Sequence, residues 1–166
     1  MPHPQDVPCA SPRLSPAEVA RLLALAEALR RGSLDGKAPP MALRGKQLGV
    51  LCALHDDASL ALFRRAAQAL GAHVAVMPAS LSPASTPQEV LHTARLLGRL
   101  YDAVECQGLP ATLVQQIGLH AGIPVYDGVA TPAHPSAALA ERLGSGGPPG
   151  DARHFVLQAI LIDSLG

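Results

Sequence analysis

The stretch Lys46-Gln47-Leu48-Gly49-Val50-Leu51-Cys52-Ala53-Leu54-His55-Asp56-Asp57-Ala58-Ser59-Leu60, continuing to Leu70, reads as a buried strand, a sharp turn and a helix. Leu48 to Leu54 is continuously apolar, which suits a central parallel strand covered on both faces. His55-Asp56-Asp57 breaks that run. Beyond it Leu62, Ala66, Ala69 and Leu70 recur at helical spacing, with Arg64, Arg65 and Gln68 on the opposite side, so a helix begins at or near the aspartates. A strand feeding a helix N-terminus is where α/β proteins commonly seat an anion, because unpaired N–H groups and the helix dipole both favour negative charge there. In this chain two carboxylates occupy the position.

Working outward, the same alternation continues on both sides. Ser15-Pro16-Ala17-Glu18 combines a capping residue, a proline at the first helical position and an acid at the third, and opens a helix through Arg31 that Gly32 is expected to end. His73 to Met77 gives a second strand. Thr86-Pro87-Gln88-Glu89 repeats the capping pattern and starts a helix to Leu100, followed by a third strand over Tyr101 to Cys106. Pro110 starts a helix to His120, Ile123 to Tyr126 forms a short fourth strand, and Ser136 to Leu143 reads as helix. Strands alternating with helices in this rhythm predict a three-layer α/β domain: a four-stranded parallel sheet in the order 2-1-3-4 with helices on both faces.

The ends of this unit differ in composition. Residues 1–13 form a Pro-rich stretch read as a loose tail, residues 14–143 the domain, and Gly144-Ser145-Gly146-Gly147-Pro148-Pro149-Gly150 a linker with almost no side chain able to pack. From Asp151 to Leu165, Phe155, Val156, Ala159, Ile160 and Ile162 recur at helical intervals, so a final amphipathic helix is expected to dock on the domain.

Composition narrows the function. At 166 residues the chain can bury a core without disulfides or metal. Its formal net charge is zero and its aromatic content 2%, leaving neither a basic footprint nor a stacking platform for nucleic acid. No apolar run reaches the roughly 18 residues that suggest a membrane span. Cys9, Cys52 and Cys106 share no metal-ligand spacing, and the latter two lie in apolar strands, which suits reduced thiols and a cytoplasmic setting.

Several stretches together resemble the carbamoyl-phosphate-binding domain of ornithine carbamoyltransferase, within the aspartate/ornithine carbamoyltransferase family. They are Leu14 to Glu18, Leu43 to Lys46, Gly71-Ala72, Thr93 to Asp102, Gly122 to Val125 and His134-Pro135, and the final helix with Arg153 is similar to the family's own last helix. In the family a second, amino-acid-binding domain lies between the two matched regions. The resemblance therefore implies that residues 144–150 replace that domain.

The resemblance also places the site. The family's Ser-Thr-Arg-Thr-Arg run, which cradles the phosphate, falls on Asp56, Asp57, Ala58, Ser59 and Leu60. The arginine that holds the carbamoyl carbonyl falls on Gln107; the His-Pro-x-Gln motif falls on His134, Pro135, Ser136 and Ala137; a glutamine lent across the subunit interface falls on Pro83. Of these contacts only His134 and Arg153 are kept. At 4 Å and an effective dielectric near 20 a unit-charge pair is worth about 4 kcal/mol, so exchanging arginines for neutral residues and hydroxyls for acids turns attraction for a phosphate into repulsion.

The expectation is a carbamoyltransferase-like protein without catalysis, acting as a structural, regulatory or small-molecule-binding module. The alternative is a divergent carbamoyltransferase of arginine metabolism with an altered substrate. The crevice lining would be Asp56, Asp57, Ser59, Gln107, His134 and Arg153, suited to a neutral or cationic ligand, with no cofactor and no metal. Each residue also has a plainer reading: the aspartates as helix caps, His134 as an inherited structural residue, Arg153 as the partner of one of the aspartates, and Cys106 as core. The resemblance further implies a homotrimer, and a full-length carbamoyltransferase is a candidate partner.

Overall fold

The computed structural model describes residues 14–53, 57–143 and 151–166. The tail at 1–13, the segment at 144–150 and the turn at 54–56 lie outside the described residues.

The elements run α1 (Pro16–Leu34), β1 (Gln47–Cys52), α2 (Asp57–Ala69), β2 (His73–Pro78), α3 (Pro87–Leu100), β3 (Ala103–Gln107), α4 (Ala111–Ala121), β4 (Val125–Asp127), α5 (Ser136–Arg142) and α6 (Asp151–Leu165). The strands form one parallel sheet in the order β2-β1-β3-β4. Both expected capping boxes form. Ser15 and Thr86 accept from the N–H groups of Glu18 and Glu89, whose carboxylates accept in return from the Ser15 and Thr86 N–H groups at 2.7 and 2.8 Å.

Alternation along β1 and β3 sorts the core into two faces. Leu48, Val50 and Ala103 meet Phe63, Ala66 and Leu70 of the α2 region and Leu157 and Leu161 of α6. Leu51, Val104 and Cys106 meet Val90, Ala94 and Leu97 of α3 and Leu113, Val114 and Ile117 of α4. On the outer side of α6, Phe155, Val156 and Ala159 pack with Leu22 and Ala26 of α1 and Leu139 and Leu143 of α5. The last helix is thus buried from both sides and is integral to the fold. Leu157 and Leu161, each 1% exposed, contribute about 2 kcal/mol apiece by burial alone. α3 and α4 approach so closely that a Cβ on Gly98 would collide with the carbonyl oxygen of Ala121.

Boundaries differ from the sequence reading in a few places. Gly32 does not end α1. The helix runs on to Leu34, and the chain reverses at Gly36, whose φ of 71° is the left-handed conformation that such a stop requires. Pro110 stands as the N-cap of α4, not as its first residue. The third strand begins two residues later than Tyr101, because Tyr101 still bonds back to Leu97 and Asp102 is tied to Gln47, its N–H to the carbonyl and its carboxylate to the N–H. The fourth strand is Val125–Asp127, not Ile123–Tyr126, since pairing with β3 begins at Val125. Pairing of β1 stops at Cys52, short of Leu54.

Candidate functional site at the carboxyl edge of the sheet

β1 and β3 end side by side, with Cys52 opposite Gln107, and α2 starts just beyond β1. Of the five positions at the head of α2, the structure describes the side chains of Ala58, Ser59 and Leu60. Asp56 and the side chain of Asp57 lie outside the described residues. Ala58 is exposed, Ser59 is buried, and Leu60 packs against the apolar core beneath α2. Neither Ala58 nor Leu60 offers a polar atom to a ligand.

Ala103, Glu105 and Gln107 share a face of β3 by the period of the strand. Gln107 is 1% exposed; its Oε1 lies 3.9 Å from the Cys52 thiol, a weak contact, and among the described residues its Nε2 has no partner of hydrogen-bonding geometry. Glu105 is fully buried, an acid in the middle of an apolar strand. Its two oxygens accept from the N–H groups of Val129 and Ala130 at 3.0 and 3.2 Å. Burial pushes its carboxyl up to about 8 against the opposing pull of those N–H groups, the nearby Gln107 amide and Gly128.

The peptide of Val129 is gripped from its other end too. Its carbonyl accepts from the Ser136 hydroxyl at 2.7 Å and from Arg153 Nη2 at 3.2 Å. Arg153 also donates to the Thr131 carbonyl and, through Nε and Nη2, to Ser136 Oγ. Gly128 accepts from Thr131 Oγ1 at 2.6 Å, closing the turn. Arg153 was expected to hold an anion or pair with an aspartate. Its described contacts are two carbonyls and a hydroxyl, and among the described residues it has no carboxylate at ion-pair distance; the aspartates of that expectation, Asp56 and the side chain of Asp57, lie outside the described residues. The physical reason is local: the loop between β4 and α5 turns carbonyls inward that need a donor, and α6 delivers one.

His134 joins the same group. Its Nδ1 accepts from the N–H of Ser136 at 3.0 Å, so the neutral ring carries its proton on Nε2. Burial and the charge of Arg153 hold its pKa below the usual histidine range, which favours that neutral form. Ala137 follows, half-buried and apolar, and Pro83 is exposed in a turn far along the chain.

A groove of about 460 Å³ runs beside His134 between α4 and the β4–α5 loop, bordered by Gln115, Asp127 and Thr131. Of the predicted crevice residues it includes His134, but neither Gln107 nor Arg153. Neither thiol is poised to react. Burial raises Cys52 above the ordinary range and pushes Cys106 up to about 12. Among the described residues no three His, Cys, Asp or Glu side chains gather as a metal site, and no helix is long and apolar enough to cross a membrane.

Glu105 and Ser136 were not singled out from the sequence. The signal for Glu105 was present: a lone acid two residues from Gln107 on the same strand face must find buried donors. Ser136 carried no such signal, because its role depends on Arg153 arriving from α6.

Residues 10–143 match the family model described as aspartate/ornithine carbamoyltransferase, carbamoyl-P binding domain. The chain belongs to this family. Over 129 residues it is 33% identical to the catabolic ornithine carbamoyltransferase of Mycoplasma capricolum subsp. capripneumoniae, which covers 78% of the chain but 41% of that protein. It is 32% identical, also over 129 residues, to the ornithine carbamoyltransferase of Cutibacterium acnes, covering 38% of it. The ornithine carbamoyltransferase structure from Pyrococcus furiosus superposes with a TM-score of 0.66 at 25% identity, covering 76% of this chain and 40% of that one. The chain therefore spans about two-fifths of the length of the relatives it matches. Family membership fits the four-stranded parallel sheet; Glu105 and Ser136 lie within the matched residues, and Arg153 lies beyond them.

Proposed function

We propose that this protein is a carbamoyltransferase relative without catalytic activity, retained as a binding or regulatory module that does not take carbamoyl phosphate. The observation that carries the reading is Arg153. It is the sole arginine kept from the site implied by the resemblance, and its guanidinium is engaged by the carbonyls of Val129 and Thr131 and by Ser136. At the other positions where the resemblance implies an arginine, Ala58, Leu60 and Gln107 supply no positive charge. Transfer of a carbamoyl group needs the mixed anhydride held and polarised, and an acceptor amine positioned beside it. We read residues 144–150 as standing in place of the domain that would bind the acceptor.

Calorimetry with carbamoyl phosphate and a citrulline assay test the proposal directly. Neither binding nor turnover above background is expected, and submillimolar binding or measurable citrulline would overturn it. The variant D56S/D57T/A58R/L60R restores the cationic run and should gain phosphate binding while still failing to make citrulline. If that variant binds no better than the natural protein, charge is not the cause. For the crevice we infer a preference for neutral or cationic ligands, checked by thermal shift with amines, amino acids, phosphates and carboxylates. For assembly we infer a homotrimer, and a monomer mass by light scattering at tens of micromolar protein would rule it out.

A further inference from the structure

Away from the carboxyl edge of the sheet, a groove of about 640 Å³ lies between the second half of α1, residues 37–40, the later turns of α2 and the first half of α6. Its size falls within the range typical of small-molecule sites. Its apolar wall is formed by Leu25, Leu29, Ala69 and Phe155, and Lys37 and Arg65 also line it as exposed residues.

The charges here differ from those along α1. Arg21 pairs with Asp163 at 2.8 Å, and Arg30 and Arg31 share Glu27 at 3.0 Å. Lys37 and Arg65 have no carboxylate at ion-pair distance among the described residues. The one acid in the wall, Asp151, sits in the first turn of α6, where the helix dipole offsets its charge. His154 adds no positive charge, because burial and the neighbouring Arg65 favour its neutral form.

We propose that this groove binds a small aliphatic carboxylate, its chain against Leu25, Leu29 and Phe155 and its headgroup held by Lys37 and Arg65. The site is independent of the crevice. It lies against the later turns of α2, whereas the crevice faces the helix's first turn, so it holds whether or not the crevice has lost carbamoyl phosphate.

The test is calorimetry on the full chain with octanoate, octan-1-ol and inorganic phosphate. Octanoate should bind, with octan-1-ol weaker by about tenfold or more and phosphate silent. K37Q/R65Q changes only exposed residues, so it should keep the melting temperature and lose about tenfold in octanoate affinity. A28W introduces a large ring from an exposed position lining the groove and should abolish binding without unfolding the protein. The proposal fails if octan-1-ol binds as tightly as octanoate, if either variant binds octanoate like the natural protein, or if millimolar octanoate gives no heat.

Discussion

Residues 58–60 at the head of α2 and residues 128–136 ahead of α5 border the same edge of the sheet, but they are held in different ways. The first group offers an exposed alanine, a buried serine and a leucine turned into the core. The second is a closed set of hydrogen bonds running from Glu105 through the Val129 peptide to Arg153, Ser136 and His134. The difference separates a solvent-facing position, Ala58, from residues whose hydrogen bonds hold a buried loop. An arginine facing solvent can be exchanged at little cost to stability, whereas one that satisfies buried carbonyls cannot.

The largest effect is predicted for Glu105→Leu. It leaves the N–H groups of Val129 and Ala130 buried without acceptors, so unfolding in urea should show a loss of about 3–5 kcal/mol. A loss under about 1 kcal/mol would mean that the loop does not depend on the acid. Arg153→Ala comes next, at about 2–4 kcal/mol, since the Val129 and Thr131 carbonyls each lose one of two donors and Ser136 Oγ loses the guanidinium. Arg153→Lys should recover part of this, because one ammonium cannot reproduce a planar fork.

The third prediction uses pH. Glu105 titrates near 8 in the folded chain and near 4.5 when unfolded, so its stabilisation is complete below 4.5 and is lost as pH rises towards 8. His134 and His154 work the other way: their folded values are depressed, and stability falls as pH drops below 6.5. Between about pH 6.5 and 8 only the first trend operates among these groups, so the melting temperature should decline with rising pH in that window. Glu105→Gln should flatten the decline, at a constant cost of about 1–3 kcal/mol. An unchanged slope would place the titrating group elsewhere.

The smallest effect is expected at the other border. Ala58→Arg should leave stability within about 0.5 kcal/mol, measured by the same urea curves, because that position is exposed on the helix. A loss comparable with that of Arg153→Ala would break the contrast between the two groups.

Much of the fold was legible because its determinants are near one another in sequence. The apolar run at Leu48 to Cys52, the helical spacing after it and the two capping boxes each need only a few neighbouring residues, and the alternation of strands and helices then leaves few topologies. At the end of α1, sequence was less decisive. Gly32 reads as the stop of the first helix, yet the backbone conformation shows that Gly36 takes the left-handed turn. The family, too, could be recognised from stretches such as Thr93 to Asp102.

By itself, then, the sequence determined the parallel sheet, its strand order, the docking of the last helix and the absence of any lysine or arginine from Asp56 to Leu60. Tertiary structure alone decided the fate of Arg153, because its acceptors at Val129, Thr131 and Ser136 are 17 to 24 residues away and meet it only once α6 has packed beside α5. It also decided that Glu105 is buried and gripped by a loop 24 residues further on. Hydrogen bonds between distant segments leave no periodic trace in a chain; their geometry exists only when the core has brought the segments together.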